Sequence, residues 1–504
     1  MTLDSDLRAM TAYAEAGGDS SRWPEKLPVR ERLRVLLDEG SWIEDGLLAN
    51  SRSEGLPADG VLTGVGGIEG RQVAVIAHDF SVKAGSWGAL TCEKQIRILE
   101  RAYRDRLPVV YLVDSAGGRL TDQMGFFPGR RGASAIFHQQ IRLSGRVPQI
   151  CCLLGPSAAG GAYMPAFTDW VGMVEGNASM YLASPRVAEK VTGEVTTLEE
   201  MGGAVMHATV SGCADEVFAE DWEVIAAARL LFGYLPANYT EAPPGAEARE
   251  PEITEWPDGL VPKDPNQAYD IHDVIRRLVD EGSFFEIKAS WAPEMVTGLG
   301  RLAGQVVGFV ANQPRVRSGA IFVDSADKAA RFIYMCDAFN IPLVFLQDVP
   351  GFMVGVEVER QGIIRHGAKM IAAMSSAEVP KISVVVRKAY AAGYYAMCAP
   401  GFEPRATLAL PTATIGTMSA EASANAVYAR KIEEIEDPAE RESFIAARVA
   451  EQAHDTDLGR MASDLVVDAV VQPADLRGDL IRRLEAAKGW MRSSESRHHP
   501  VYPV

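Results

Sequence analysis

Two short runs of minimal side chains, Ala159-Gly160-Gly161 and Ala391-Ala392-Gly393, are the strongest chemical feature of the sequence. Each follows an apolar run, Ile150 to Leu154 or Ile382 to Val386, and precedes a segment of helical character. Minimal side chains let a ligand approach the backbone, and neighbouring N–H groups at a helix start point at a developing negative charge. That is the geometry of an oxyanion hole built from backbone, which needs no catalytic side chain. Close packing of a helix on a strand is the competing reading, and the pattern alone does not choose between them. Two such turns suggest a reaction with two oxyanions.

Other catalytic signatures are missing. There is no GxxxxGK[ST] and no HExxH. Gly64-Val65-Gly66 begins like a dinucleotide fingerprint, but Glu69 stands where the third glycine should be, and the similar segment at Gly298 has Ala303 there. Both read as hairpin turns. Gly155-Pro156-Ser157-Ala158-Ala159 is one residue short of a nucleophile elbow, which makes a serine hydrolase a weak rival. The histidines at 78, 138, 207, 272, 366, 454, 498 and 499 show no ligand spacing. Lys94 and Lys328 recur at matched helix positions and read as solvated surface. The cysteines at 92, 151, 152, 213, 336 and 398 form no CxxC pair, so no metal site is expected and a reducing compartment fits.

The elements that position the two turns come from an internal repeat. Thr63 to Gly70 (TGVGGIEG) recurs as Thr297 to Gly304 (TGLGRLAG), an offset of 297 − 63 = 234. The same offset carries Lys94 onto Lys328 and Leu107–Asp114 onto Ile341–Asp348. Val147-Pro148 matches Val379-Pro380 and Ala159 matches Ala391 at 391 − 159 = 232. The chain therefore reads as an extension at 1–27, one copy of a domain at 28–235, a linker at 236–265, a second copy at 266–490 and a tail at 491–504. The linker holds seven prolines and five glutamates in thirty residues, a composition that continues neither helix nor central strand. Each copy is predicted as a short helix, a hairpin, then buried strands alternating with helices, which is an α/β domain.

Composition narrows the function classes. The chain has 504 residues, 47% hydrophobic and 23% charged, with a formal net charge of −17, which argues against a nucleic-acid or anionic-membrane surface. The acidic start, MTLDSDLRAMTAYAEAGGDSS, does not resemble a signal peptide. The uncharged run Val147 to Thr168 is interrupted by three prolines and three glycines, so it reads as a strand and turn instead of a membrane span. A cytoplasmic protein is expected.

The second copy contains Ala329 to Phe332 (AARF), Cys336 to Pro342 (CDAFNIP), Asp348 to Phe352 (DVPGF), Gly362 to Lys369 (GIIRHGAK) and Arg387 to Tyr390 (RKAY). The first has Ser81 to Ser86 (SVKAGS), Ala159 to Tyr163 (AGGAY) and Val191 to Glu194 (VTGE). Over roughly residues 28 to 490 these resemble the carboxyltransferase (β) subunits of biotin-dependent acyl-CoA carboxylases of the propionyl-CoA and methylcrotonyl-CoA type. The resemblance implies two tandem crotonase-like domains (ββα spirals) and a homo-hexamer built as a dimer of trimers. It also implies an active site between the first domain of one subunit and the second domain of a dimer partner.

By that likeness the Gly160 and Gly161 amides hold the thioester oxygen of an acyl-CoA as an enolate, and those of Ala392 and Gly393 hold the ureido oxygen of biotin. Lys83, Ala84, Gly85, Ala159, Tyr163 and Tyr395 belong to the substrate site. The biotin is carried by a partner, the biotin carboxylase and biotin carboxyl carrier (alpha) subunit, because Gly367-Ala368-Lys369-Met370 lacks the methionine of a biotinylation site. Propionyl-type relatives tend to have Gly-Gly-Ala at 391–393 and an acid at 395, so the Ala391-Ala392-Gly393 turn and Tyr395 look closer to the methylcrotonyl type, while Gly362 to Arg365 looks propionyl-like. The resemblance leaves the acyl group open, along with a decarboxylase running the reaction backwards and a non-catalytic scaffold.

Overall fold

The computed structural model describes residues 3–53, 55–453, 457–490, 497 and 499–503; His454 and His498 lie outside them. The chain divides into two compact units, one from residues up to 244 joined by 338–340 and the closing residues after 492, the other from 245–337 and 341–492. Between Phe232 and Ile271 no helix or strand forms, yet Asn238, Tyr239 and Val261 are buried.

Each unit is built on one mixed eight-stranded sheet. In the first, β1 (Ile43–Asp45), β2 (Val61–Ile68) and β3 (Arg71–His78) run antiparallel, and β4 (Val109–Ser115), β5 (Gln149–Ala158), β6 (Trp170–Val174) and β8 (Glu216–Phe218) continue in parallel. The short β7 (Ser179–Tyr181) pairs with the end of β5. The second unit repeats the order with β9 (Phe285–Ile287), β10 (Met295–Leu302), β11 (Gln305–Asn312), β12 (Leu343–Val349), β13 (Lys381–Tyr390), β14 (Ala406–Ala409) and β16 (Ala469–Val470), while β15 (Thr414–Gly416) pairs with β13. β4, β12 and β13 are buried along their whole length, as expected of parallel strands covered on both faces.

The hairpins differ in detail from the sequence expectation. The Thr63-Gly64-Val65-Gly66 motif lies inside β2; the turn itself is Glu69-Gly70, with φ of 51° and 76°. Ala303-Gly304 does the same at 50° and 80°. Both are two-residue turns with positive φ at each centre, which matches the right-handed twist of the strands. The motif glycines serve packing: a Cβ on Gly64 would lie 2.1 Å from the Ile43 carbonyl oxygen, and one on Gly298 2.6 Å from the Phe284 ring.

Lys94 and Lys328 are not solvated. Each sits on a long helix, Ala89–Asp105 or Val323–Ala338, with its ammonium buried. Lys94 Nζ donates to the Ala58 carbonyl at 2.9 Å and to that of Val61; Lys328 Nζ donates to those of Lys288 at 2.8 Å and Trp291 at 2.9 Å. Apart from the Val61 carbonyl at the start of β2, these carbonyls belong to loops with left-handed residues (Ala58, Asp59 and Gly60; Lys288 and Ala292), where regular ladders do not run. The buried cation replaces the ladder.

Candidate active site

β5 forks. Its first half pairs with β6 through Ile150 to Leu153, and its last residues, Pro156 to Ala158, pair with β7. β13 forks in the same way, Ile382 to Val385 pairing with β14 and Lys388 to Tyr390 with β15. The chain leaves each fork through a left-handed alanine, Ala159 at φ 54° or Ala391 at φ 52°. For an alanine that conformation costs roughly 1–3 kcal/mol, so the surrounding structure enforces it.

In the first unit the turn Ala159–Ala162 starts a short helical stretch. Its carbonyls are used internally: Ser157 Oγ donates to the Gly161 carbonyl at 2.9 Å, and the Tyr163 amide donates to those of Gly160 and Gly161. Gly160 is exposed, and a Cβ placed on it would meet nothing nearer than Phe137 at 4.0 Å. One on Gly161 would meet Ser157 Oγ at 3.6 Å and Trp87 at 3.8 Å. Packing therefore does not explain these glycines. The first amides of a helical turn lack partners within it, so they are free to meet an anion in that space.

Lys83, Ala84 and Gly85 lie beside this turn and are consecutively left-handed, at φ 50°, 53° and 61°. The Ala84 carbonyl accepts from the Ala116 amide at 2.9 Å and the Gly85 carbonyl from Ser115 Oγ at 2.7 Å. Gly117, in the same loop, would place a Cβ 3.2 Å from the Ala158 carbonyl oxygen. The Lys83–Gly85 turn, the loop after β4 and the Ala159–Gly161 turn are thus one contiguous surface. Tyr163 stands at its edge, 45% exposed, its ring stacked on Phe167 at 6.2 Å.

The second unit repeats the surface with other side chains. Arg317, Ser318 and Gly319 take φ of 48°, 57° and 74°, the positions 234 residues after Lys83, Ala84 and Gly85. The Ile321 amide donates to the Gly351 carbonyl at 3.1 Å. Ala391 and Ala392 are exposed, but a Cβ on Gly393 would lie 2.7 Å from Val349 Cγ2 and 2.8 Å from Gly351 Cα. Close packing is the reason for glycine at that position. Tyr395 is 54% exposed, its ring centroid 6.3 Å from that of Tyr394.

Beneath both surfaces lies a buried carboxylate whose importance the sequence did not signal. Asp114 is paired with Lys26 at 2.9 Å and Arg32 at 3.0 Å, and Arg32 also reaches Asp221. Burial pushes the Asp114 carboxyl up, opposed by the two cations. Asp348 is paired instead with Arg387 of the neighbouring strand at 2.9 Å. Gly155 occupies the place equivalent to Arg387; a Cβ there would lie 1.9 Å from Asp114 Oδ1, so its absence admits the carboxylate and Lys26. Arg387 also donates to the carbonyls of Asp264 and Gln267, which pins the end of the linker to the second unit. Among the described residues no cluster of His, Cys, Asp and Glu could hold a metal ion, and no helix is long and apolar enough to cross a membrane.

Comparison with known proteins agrees with this architecture. The carboxyl transferase domain family matches residues 24–502. The chain is 56% identical over 492 residues to the uncharacterized carboxylase YngE of Bacillus subtilis (strain 168), covering 97% of this chain and 96% of that one. It is 38% identical over 522 residues to the propionyl-CoA carboxylase carboxyltransferase subunit of Haloferax mediterranei, covering all of both. Among solved structures it superposes on the transcarboxylase 12S hexamer core crystallised with methylmalonyl-coenzyme A and methylmalonic acid, with a TM-score of 0.91, 37% identity and 99% of each chain covered.

Proposed function

The chain belongs to the carboxyl transferase domain family, and from that premise we propose that it moves a carboxyl group between the carboxybiotin of a partner protein and the α- or vinylogous carbon of an acyl-CoA. It is a carboxyltransferase with two crotonase-like α/β domains. The observation that carries the finer reading is the open space over exposed Gly160, together with the ordinary contacts at 3.6 and 3.8 Å that a Cβ on buried Gly161 would make, so packing gives no reason for glycine at either position. In this reading their amides hold the thioester oxygen as it gains charge on becoming an enolate, and the Lys83-Ala84-Gly85 turn, Ala159 and Tyr163 line the path of the acyl-CoA. A backbone donor in such a hole is worth roughly 10²–10³ in rate.

The Ala391-Ala392-Gly393 turn suits a ureido group. Its first two residues are exposed and carry only methyls, so a planar ligand can reach the Ala392 and Gly393 amides past them. Biotin supplies the carboxyl group and a ureido nitrogen that takes the α-proton. The chain's own residues orient the two substrates and neutralise charge on two oxygens, and proximity of that kind replaces a protein base.

The biotin and its ATP-dependent carboxylation are assigned to an alpha subunit with biotin carboxylase and biotin carboxyl carrier functions. A cytoplasmic homo-hexamer, a dimer of trimers as the family resemblance implies, completes each site from two copies; the hexamer of the transcarboxylase 12S relative supports this. The test incubates the purified chain with a carboxylated biotin carrier protein and a series of short straight and branched acyl-CoAs. Carboxylated product with at least one of them is expected. Transfer to none of them in either direction would favour a non-catalytic scaffold.

A further inference from the structure

At the opposite end of β4 and β5 from the Gly161 turn, five side chains stack in a ladder. The guanidinium of Arg142 lies 4.0 Å from the centre of the Tyr103 ring, and that of Arg146 lies 4.4 Å from it. Arg146 is also 5.5 Å from the Tyr239 ring, with Arg106 5.8 Å from the same ring. A fourth arginine, Arg497, lies beside them and caps the carbonyls closing the Ala133–Leu143 helix, among them that of Ile141 at 2.9 Å. All of these residues fall within the first unit.

We propose that this ladder is a binding site for a multiply charged oxyanion of the phosphate class. The first reason is uncompensated charge. Four arginines gather in a chain of net charge −17, and among the described residues none of the four forms an ion pair with a carboxylate. The neighbouring acids form their close pairs elsewhere: Glu100 with Arg131 at 2.9 Å, Asp105 with Arg101 at 3.4 Å, and Glu241 with the Asn238 amide at 2.7 Å, so Glu100 meets Arg142 only through its longer-range charge. Like charges this close repel, and the rings offset only part of the cost.

The second reason is an orphaned donor. Arg146 Nε is buried and has no hydrogen-bond partner. The electrostatics agree: a hydrogen bond from Arg142 and the charge of Arg146 hold the Tyr103 hydroxyl below its usual range, and burial pulls the Arg497 guanidinium down. A single carboxylate would answer one of these cations. Arg142 donates one N–H to Gln139 at 3.1 Å and Arg497 donates to backbone carbonyls, but a guanidinium carries five donors, so four arginines around two rings suit a di- or trianion with many acceptor oxygens.

The site is separate from the transfer chemistry. Strands of seven and ten residues, at about 3.3 Å each, place the ladder ~20–30 Å from the Gly160–Gly161 turn. The proposal therefore does not depend on the function proposed above.

The experiment uses the full chain in its native assembly and inorganic pyrophosphate as probe, with KCl at equal ionic strength as control and ADP as a second ligand. Calorimetry should give about one site per chain with Kd of ~1 mM or tighter, and thermal unfolding should shift upward beyond the KCl control. Arg142→Gln and Arg146→Gln should each weaken binding at least ~tenfold while leaving carboxyl transfer unchanged. Competition between ADP and pyrophosphate for one site would support recognition through phosphate groups. A pyrophosphate effect no larger than that of KCl, equal binding by the variants, or ADP binding that pyrophosphate cannot displace would overturn the proposal. The wild-type comparison with KCl decides the matter even if a variant fails to fold.

Discussion

Gly161 and Gly393 occupy equivalent positions after equivalent strands, yet only one of them is glycine for packing. The space beside Gly161 holds no protein atom within 3.6 Å of a Cβ, whereas Gly393 faces Val349 Cγ2 at 2.7 Å and the Gly351 backbone at 2.8 Å. Gly161→Val should thus fold with near-normal thermal stability and lose at least ~10²-fold in kcat/KM, because its methyls occupy the space meant for the thioester oxygen. Gly393→Val should lower the unfolding midpoint outright, since backbone at 2.8 Å cannot move aside cheaply. Equal stability of the two variants would contradict this distinction.

Much of the fold was legible in the sequence because it is written twice. The matched series from Thr63 to Ala159 and from Thr297 to Ala391 located both sheets and both turns. Lys94 and Lys328 were misread because helical periodicity places a residue on a face without saying that left-handed loops across from it carry unpaired carbonyls. Asp114 stands out in the sequence only as the last residue of a repeated segment, since its partner Arg32 lies 82 residues away and an ion pair of that span leaves no local pattern. The turn glycines were ambiguous for a similar reason: whether Gly161 meets empty space and Gly393 meets Gly351 depends on neighbours distant in sequence.

Lys94→Met should destabilise the first unit by ~1–3 kcal/mol, as the Ala58 and Val61 carbonyls lose their donor. Burial pulls the Lys94 ammonium down to about 8. The folded chain then gives up this proton before the unfolded chain does, so stability rises as pH climbs from about 8 towards about 10.5. Denaturant titrations across that range should show a rise in wild type that the variant lacks.

His78 is buried, its Nε2 accepting from the Trp87 indole at 3.1 Å, and burial pulls its pKa down to about 4. The unfolded imidazole protonates near its usual value of about 6.5, so this stabilisation is present above that pH and is lost as pH falls towards 4. Wild type should lose up to ~3 kcal/mol over this window relative to His78→Gln, which cannot be charged. Parallel pH dependence of the two proteins would remove His78 from the account.

Tyr395 is exposed beside the Ala391–Gly393 turn, and we propose that it lines the acyl pocket. Its ring would wall off longer chains, and one methylene in such a pocket is worth ~1–3 kcal/mol. Tyr395→Ala should change the ratio of kcat/KM between a short straight acyl-CoA and a branched or longer one by at least ~tenfold. A uniform loss across all substrates would instead make Tyr395 a support for the turn.

The central claim is that carboxyl transfer runs through an enolate held by the backbone at Gly160 and Gly161. The most direct test runs transfer in reverse, following carbon-14 from the labelled free carboxyl of a carboxylated acyl-CoA into free biotin, with the enolate left behind protonated to the acyl-CoA, for the wild-type chain and Gly161→Val at matched folding. Labelled carboxybiotin is expected from the wild type, with a rate lower by ~10² or more in the variant. Label transfer at the same rate in both proteins would contradict the claim.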